Sequence, residues 1–218
     1  MSYTRIKFCG LTRAQDVRLA VELGVDYIGL VFAPGSPRRL LHESARRLRA
    51  LVPEEIAVVA LVMDNPRQEI EAIVEELRPD LLQFHGSEDD AFCSSFGIPF
   101  LKAVAMGADG ADAGAAASLF PSAHGLLLDG HGPGEAGGSG QRFDWTRTPG
   151  GTQKRFFLAG GLCADNVGLA IRTARPWGVD VSSGIERAPG IKDGGKMRFF
   201  VEESRRADSR KEQQHGSD

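Results

Sequence analysis

At 218 residues, with 42% hydrophobic and 25% charged residues, the chain has the make-up of an ordinary globular protein, long enough for one larger α/β domain. A formal net charge of −3 excludes a general attraction to nucleic acid or anionic lipid and points to a small-molecule partner. Cys9, Cys93 and Cys163 lie far apart, without CxxC or paired Cys/His spacing, so neither a zinc site nor a disulfide framework is indicated. Free cysteines fit a reducing, cytoplasmic setting, and the longest apolar run, Ile56 to Met63, is too short to span a bilayer. The N-terminus lacks the basic-then-apolar pattern of a targeting segment.

Along the chain, short β-rich runs alternate with helical patterns, the rhythm of a parallel sheet built from βα units. The strands are predicted at Ile6 to Cys9, Tyr27 to Phe32, Ile56 to Met63, Leu81 to Phe84, Phe100 to Ala103, Gly125 to Leu128, Phe156 to Ala159 and Val179 to Ser182. Eight such units are the number that closes a (βα)8 TIM barrel, which makes the expected architecture a single domain over 1–204. An open doubly wound sheet has the same rhythm but more often carries GxGxxG after its first strand, where this chain has Cys9-Gly10-Leu11-Thr12.

Helices are predicted at Arg13 to Leu23, Glu43 to Leu51, Pro66 to Leu77, Asp165 to Ala174 and Asp193 to Ser204. Thr12 and Gln15 have the spacing of a capping box for the first. Ser87 to Phe96 and Ala111 to Leu119 are weaker, and the crossover around Trp145 is barely helical by pattern. Two stretches break the rhythm. Gly130 to Gly140 is a long glycine-rich loop of the kind that is mobile or functional. Arg205 to Asp218 has Ala207 as its one apolar residue and reads as a disordered hydrophilic tail.

The chemistry-bearing residues stand at strand ends. Cys9 closes the first strand, where a buried thiol is either a small hydrophobe or a catalyst. Asp129, after Leu126-Leu127-Leu128, brings a carboxyl to the same rim, as a general acid or as a cap of the following turn. Gly160-Gly161 follows the seventh strand and Ser182-Ser183-Gly184 the eighth, the two loops that commonly hold a phosphate in such a barrel. Arg38, with Arg39 an equal rival on local grounds, can clamp a carboxylate through two parallel hydrogen bonds. His85 ends the fourth strand as a ligand contact or a histidine satisfied by backbone. Asp180, within the eighth strand, either orients a neighbouring group or the phosphate loop or has a structural role.

These residues sit in blocks that resemble the phosphoribosylanthranilate isomerase family: Lys7 to Thr12, Gly29 to Phe32 with Ser36-Pro37-Arg38, Gln83 to Gly86, Leu127 to Asp129, Gly137 to Gly140 with Phe143-Asp144-Trp145, Leu158 to Leu162, and Val179 to Glu186. Phe8 and Phe84 stand where the family more usually has aliphatic residues. The resemblance implies a (βα)8 barrel that performs, in tryptophan biosynthesis, the Amadori rearrangement of N-(5-phosphoribosyl)anthranilate to 1-(2-carboxyphenylamino)-1-deoxyribulose 5-phosphate. It implies Asp129 as general acid and Cys9 as general base, with Arg38 on the anthranilate carboxylate. Gly160, Gly161, Ser182, Ser183 and Gly184 fall on the phosphate loops, and no metal or organic cofactor is expected. A related bifunctional isomerase acting on histidine and tryptophan intermediates is expected to have a carboxylate where this chain has Cys9. A binding protein that has lost its chemistry is the rival from another class. Both a monomer and a homodimer are compatible with this length.

Overall fold

The computed structural model describes residues 3–107, 112–130, 143–148 and 154–215. Eight parallel strands pair in chain order and close on themselves: β1 (Arg5–Cys9), β2 (Tyr27–Val31), β3 (Ala57–Val62), β4 (Leu81–Phe84), β5 (Phe100–Ala105), β6 (Gly125–Asp129), β7 (Phe156–Leu158) and β8 (Gly178–Val181). Closure comes from β1 against β8, with Arg5 to Phe8 in register with Gly178 to Val181. Seven helices follow the strands: α1 (Ala14–Glu22), α2 (His42–Arg49), α3 (Arg67–Leu77), α4 (Asp90–Ser94), α5 (Ala113–Leu119), α6 (Ala164–Ala174) and α7 (Gly194–His215). The predicted closed barrel is the observed one. Among its described residues the sixth crossover has one 3₁₀ turn, Trp145–Arg147, and the glycine-rich stretch lies outside the described residues from 131 onward.

Strand period two sorts the side chains into two cores. One set points outward under the helices, where Phe8 meets Phe200 edge-on and Phe84 packs against Phe92, Phe96 and Phe100. The two unusual phenylalanines therefore fill the layer between sheet and helices, away from the barrel mouth. The other set points to the axis. Val59, Leu81, Leu101, Leu127 and Phe157 form an apolar plug, and Cys9, Val31, Ala33 and Leu61 cluster separately from it.

Three local expectations are corrected. Thr12 does not cap α1, whose N-cap residue is Arg13 without a side-chain cap; the Thr12 hydroxyl instead donates to the Gly190 carbonyl. A short antiparallel hairpin unforeseen from sequence, β9 (Glu186–Ala188) with β10 (Ile191–Lys192), intervenes between β8 and α7. The tail boundary at 204 is also displaced, because α7 runs on to His215. The one apolar residue of the stretch from Arg205, Ala207, is buried, and Asp208 accepts from the Thr4 amide at 2.8 Å and the Thr4 hydroxyl at 2.7 Å. Arg205 donates to the Thr4 carbonyl at 2.8 Å. Polar anchoring, invisible to hydropathy, holds this part of the helix against the start of β1.

Asp208→Ala removes two bonds to a buried threonine and is expected to destabilise the protein by about 1–3 kcal/mol. Urea denaturation monitored by circular dichroism checks this, with the activity per folded molecule unchanged.

Candidate active site

The strand ends at the carboxyl side open into a cavity with about 720 Å³ of space, continuous with solvent at its mouth. Cys9, Arg38, His85, Asp129, Gly160, Gly161, Asp180, Ser182 and Ser183 all line it. Gly184 and Arg39, also singled out in the sequence, stand outside the lining. A Cβ at Gly184 would lie 1.8 Å from the Leu162 carbonyl oxygen, so only glycine lets the loop after β8 press against the loop after β7. Arg39 turns away from the cavity and pairs with Glu69 at 3.0 Å, which leaves Arg38 as the arginine of the lining.

The cavity is built around two buried lysines that flank Cys9. Lys7, two residues earlier on β1, shares the inward face of that strand, and its Nζ donates to the Asp180 carboxylate at 2.7 Å. Gly29 on β2 makes room for this arrangement. A Cβ at Gly29 would lie 2.9 Å from the Cys9 Sγ and 3.1 Å from the Lys7 Nζ. Burial works to lower the Lys7 pKa, but the Asp180 carboxylate bonded to it outweighs that and holds the ammonium above its ordinary value.

Lys192, from β10, reaches the other flank. Its Nζ donates to the Cys9 carbonyl at 2.7 Å, the Ser182 carbonyl at 3.1 Å and Glu186 at 2.8 Å. Glu186 in turn grips Arg38 side-on, through Nε at 2.8 Å and Nη2 at 2.7 Å. Arginine anchor, thiol strand and the loop after β8 are thus tied to one ammonium. Lys7, Glu186 and Lys192 escaped the sequence reading, although Glu186 closes the last quoted block and Lys192 follows it by six positions.

Burial pushes the Cys9 thiol above its ordinary range; Asp180 adds to that rise, while the Lys7 and Lys192 ammonium groups oppose it. At neutral pH the resting group is the thiol, and the two lysines are what makes a thiolate attainable. Beside the Cys9 strand, the wall continues into the loops after β8 and β7. Gly160 and Gly161 both have positive φ, 82° and 60°, and the turn is pinned by Asn166, which accepts from the Cys163 amide at 2.9 Å and donates to the Gly161 carbonyl at 2.8 Å. Backbone amides and two serine hydroxyls in such a setting suit an anion. Among the described residues no group of three or more His, Cys, Asp or Glu side chains is placed to hold a metal ion. Nor is any described helix long and apolar enough to cross a membrane.

A closed parallel barrel with a thiol, a carboxyl group and two glycine- and serine-bearing loops gathered at the carboxyl ends of its strands defines a (βα)8-barrel enzyme. Within that class the chain belongs to the N-(5'-phosphoribosyl)anthranilate (PRA) isomerase family, whose model matches residues 6–203. The chain is 57% identical over 210 residues to the N-(5'-phosphoribosyl)anthranilate isomerase of Xanthomonas campestris, covering 94% of this chain and 95% of that one. It is 54% identical over 206 residues to that of Stenotrophomonas maltophilia, with 94% of each chain covered. Among solved structures, the phosphoribosyl anthranilate isomerase of Thermus thermophilus superposes with a TM-score of 0.81 at 33% identity, over 92% of this chain and 98% of that one. A structure of monomers generated from the dimeric phosphoribosylanthranilate isomerase of Thermotoga maritima gives 0.77 at 29% identity, over 93% and 98%.

Lys7→Met removes the cation nearest the thiol and leaves the burial in place, so the Cys9 pKa is expected to move further up. The rate of iodoacetamide labelling at the Cys9 peptide, followed by mass spectrometry against pH, should rise at more alkaline pH than in the wild type.

Proposed function

We propose that the chain isomerises N-(5'-phosphoribosyl)anthranilate to 1-(2-carboxyphenylamino)-1-deoxyribulose 5-phosphate, in tryptophan biosynthesis, by acid and base catalysis from Asp129 and Cys9. The observation that carries this is the presence of both groups, from β6 and β1, in the cavity that also holds Arg38 and the two glycine- and serine-bearing loops.

Asp129 protonates the oxygen of the furanose ring. The C1–O bond breaks, and the anthranilate nitrogen supplies the electron pair for a C1=N bond, giving an open-chain Schiff base. Its positive nitrogen acidifies the neighbouring C2–H. Cys9, as thiolate, takes that proton, and the C–H electron pair moves to C1=C2 while the C=N pair returns to nitrogen. The resulting enolamine loses its C2 hydroxyl proton and gains one at C1, leaving the C2 ketone. Each transfer needs only a positioned acid or base, because the substrate's own nitrogen is the electron sink.

Positioning supplies the rest. The loops with Gly160, Gly161, Ser182, Ser183 and Gly184 take the phosphate, His85 and Asp180 support the sugar end, and Arg38 takes the anthranilate carboxylate. The side-on grip of Glu186 uses Nε and one Nη2 proton of Arg38. Nη1 and the second Nη2 proton remain as the two-pronged end of the guanidinium, the part that fits a carboxylate. The dimeric Thermotoga maritima relative supports a homodimer as the assembly, and free cysteines support a cytoplasmic setting.

Freshly generated phosphoribosylanthranilate, followed by loss of anthranilate fluorescence, tests the reading. Turnover by the wild type is expected, with kcat about 10²–10⁴-fold lower in Cys9→Ala and in Asp129→Asn and with inhibition by a reduced product analogue retained. Full activity in either variant would remove that residue from its role. Arg38→Ala should raise KM far more than it lowers kcat, while Arg39→Ala leaves both within about twofold.

A further inference from the structure

Gln83 lies on β4 with its side chain in the wall of the cavity that also contains Cys9 and Asp129. It is 1% exposed, and neither its Oε1 nor its Nε2 has a hydrogen-bond partner among the described residues. A buried carboxamide without partners is costly and rare in folded proteins. The sheet itself offers nothing to satisfy it, since its register neighbours are Leu61 on β3 and Leu101 on β5. An apolar residue would pack there at lower cost, so the amide belongs to whatever fills the cavity.

The chemistry of the group narrows what that is. A carboxamide offers an NH2 donor and an acceptor oxygen side by side without charge, a combination that suits neutral hydroxyl groups, which also both donate and accept. The anionic ends of the substrate already have the two loops and Arg38. Between them lies a neutral, hydroxyl-bearing sugar. We propose that Gln83 binds the substrate directly, donating through Nε2 to one hydroxyl of the open-chain sugar and accepting at Oε1 from the next. It thereby holds C2 between Cys9 and Asp129. This assignment rests on the reading of the cavity as the seat of phosphoribosylanthranilate.

The test compares wild type with Gln83→Met, which keeps the length of the side chain and removes both polar atoms, and with Gln83→Leu as a second apolar variant. Four quantities are read: kcat/KM on fresh phosphoribosylanthranilate, its pH profile, the inhibition constants of inorganic phosphate and of the reduced product analogue, and Tm. Expected are a kcat/KM about ten- to a hundredfold lower and a parallel weakening of the analogue. Phosphate inhibition should stay within twofold, the limbs of the pH profile should not move, and Tm should be equal or higher, because no bond in the free protein is lost. Wild-type kinetics in a folded variant would overturn the proposal. So would a fall in phosphate affinity as large as that of the analogue, or a lowered Tm in both variants, since these mark a structural amide. Absence of turnover by the wild type would instead overturn the functional reading beneath it.

Discussion

A buried ammonium must be neutralised where it stands, and the mouth of this barrel contains two. Lys7 and Lys192 have fully enclosed side chains, one approaching Cys9 along its own strand and the other through its carbonyl oxygen. Removing either from its partner would leave a charge in a poorly solvated place, at a cost of several kcal/mol. Asp180 is therefore bound to Lys7, and Glu186 to Lys192. The second carboxylate, bridging onward, fixes Arg38. What looks like a set of separate functional side chains is one neutralised lattice, and the thiol sits at its centre with a positive charge on each flank.

The lattice also explains how the two ends of the cavity are kept at a set separation. The Arg38 side and the loop after β8 are linked by polar contacts. They are joined through Lys192, which bonds to the Ser182 carbonyl and to the glutamate that holds the arginine. For a substrate held as proposed, that rigidity would remove a search over orientations.

The barrel was legible because eight β-rich runs separated by amphipathic stretches leave few alternatives, and Cys9, Asp129 and the phosphate-type loops were legible because they occupy strand ends. Other features depend on long-range partners that spacing does not encode. Thr12 has the local pattern of a cap, but the Gly190 carbonyl, 178 residues away, takes its hydroxyl. The hairpin bearing Glu186 and Lys192 has strands of three and two residues, too short for any periodicity. Gln83 was hidden because β4 is buried on both faces, so a polar residue in it reads as noise in an apolar run. The end of α7 is fastened by Asp208 and Arg205 to Thr4, and composition alone counts such residues as solvated.

The closure of β1 on β8 places the two halves of the Lys7–Asp180 pair 173 residues apart in the chain. During synthesis Lys7 emerges early, and its counter-charge arrives only when nearly the whole polypeptide has been made. Until then the first strand has neither its second edge nor a partner for its cation, so stable co-translational burial of that strand is disfavoured. The candidate site is therefore a late product of folding, completed in the same event that seals the barrel. A nascent or truncated chain lacking β8 would carry every upstream element of the site and still have no working thiol environment.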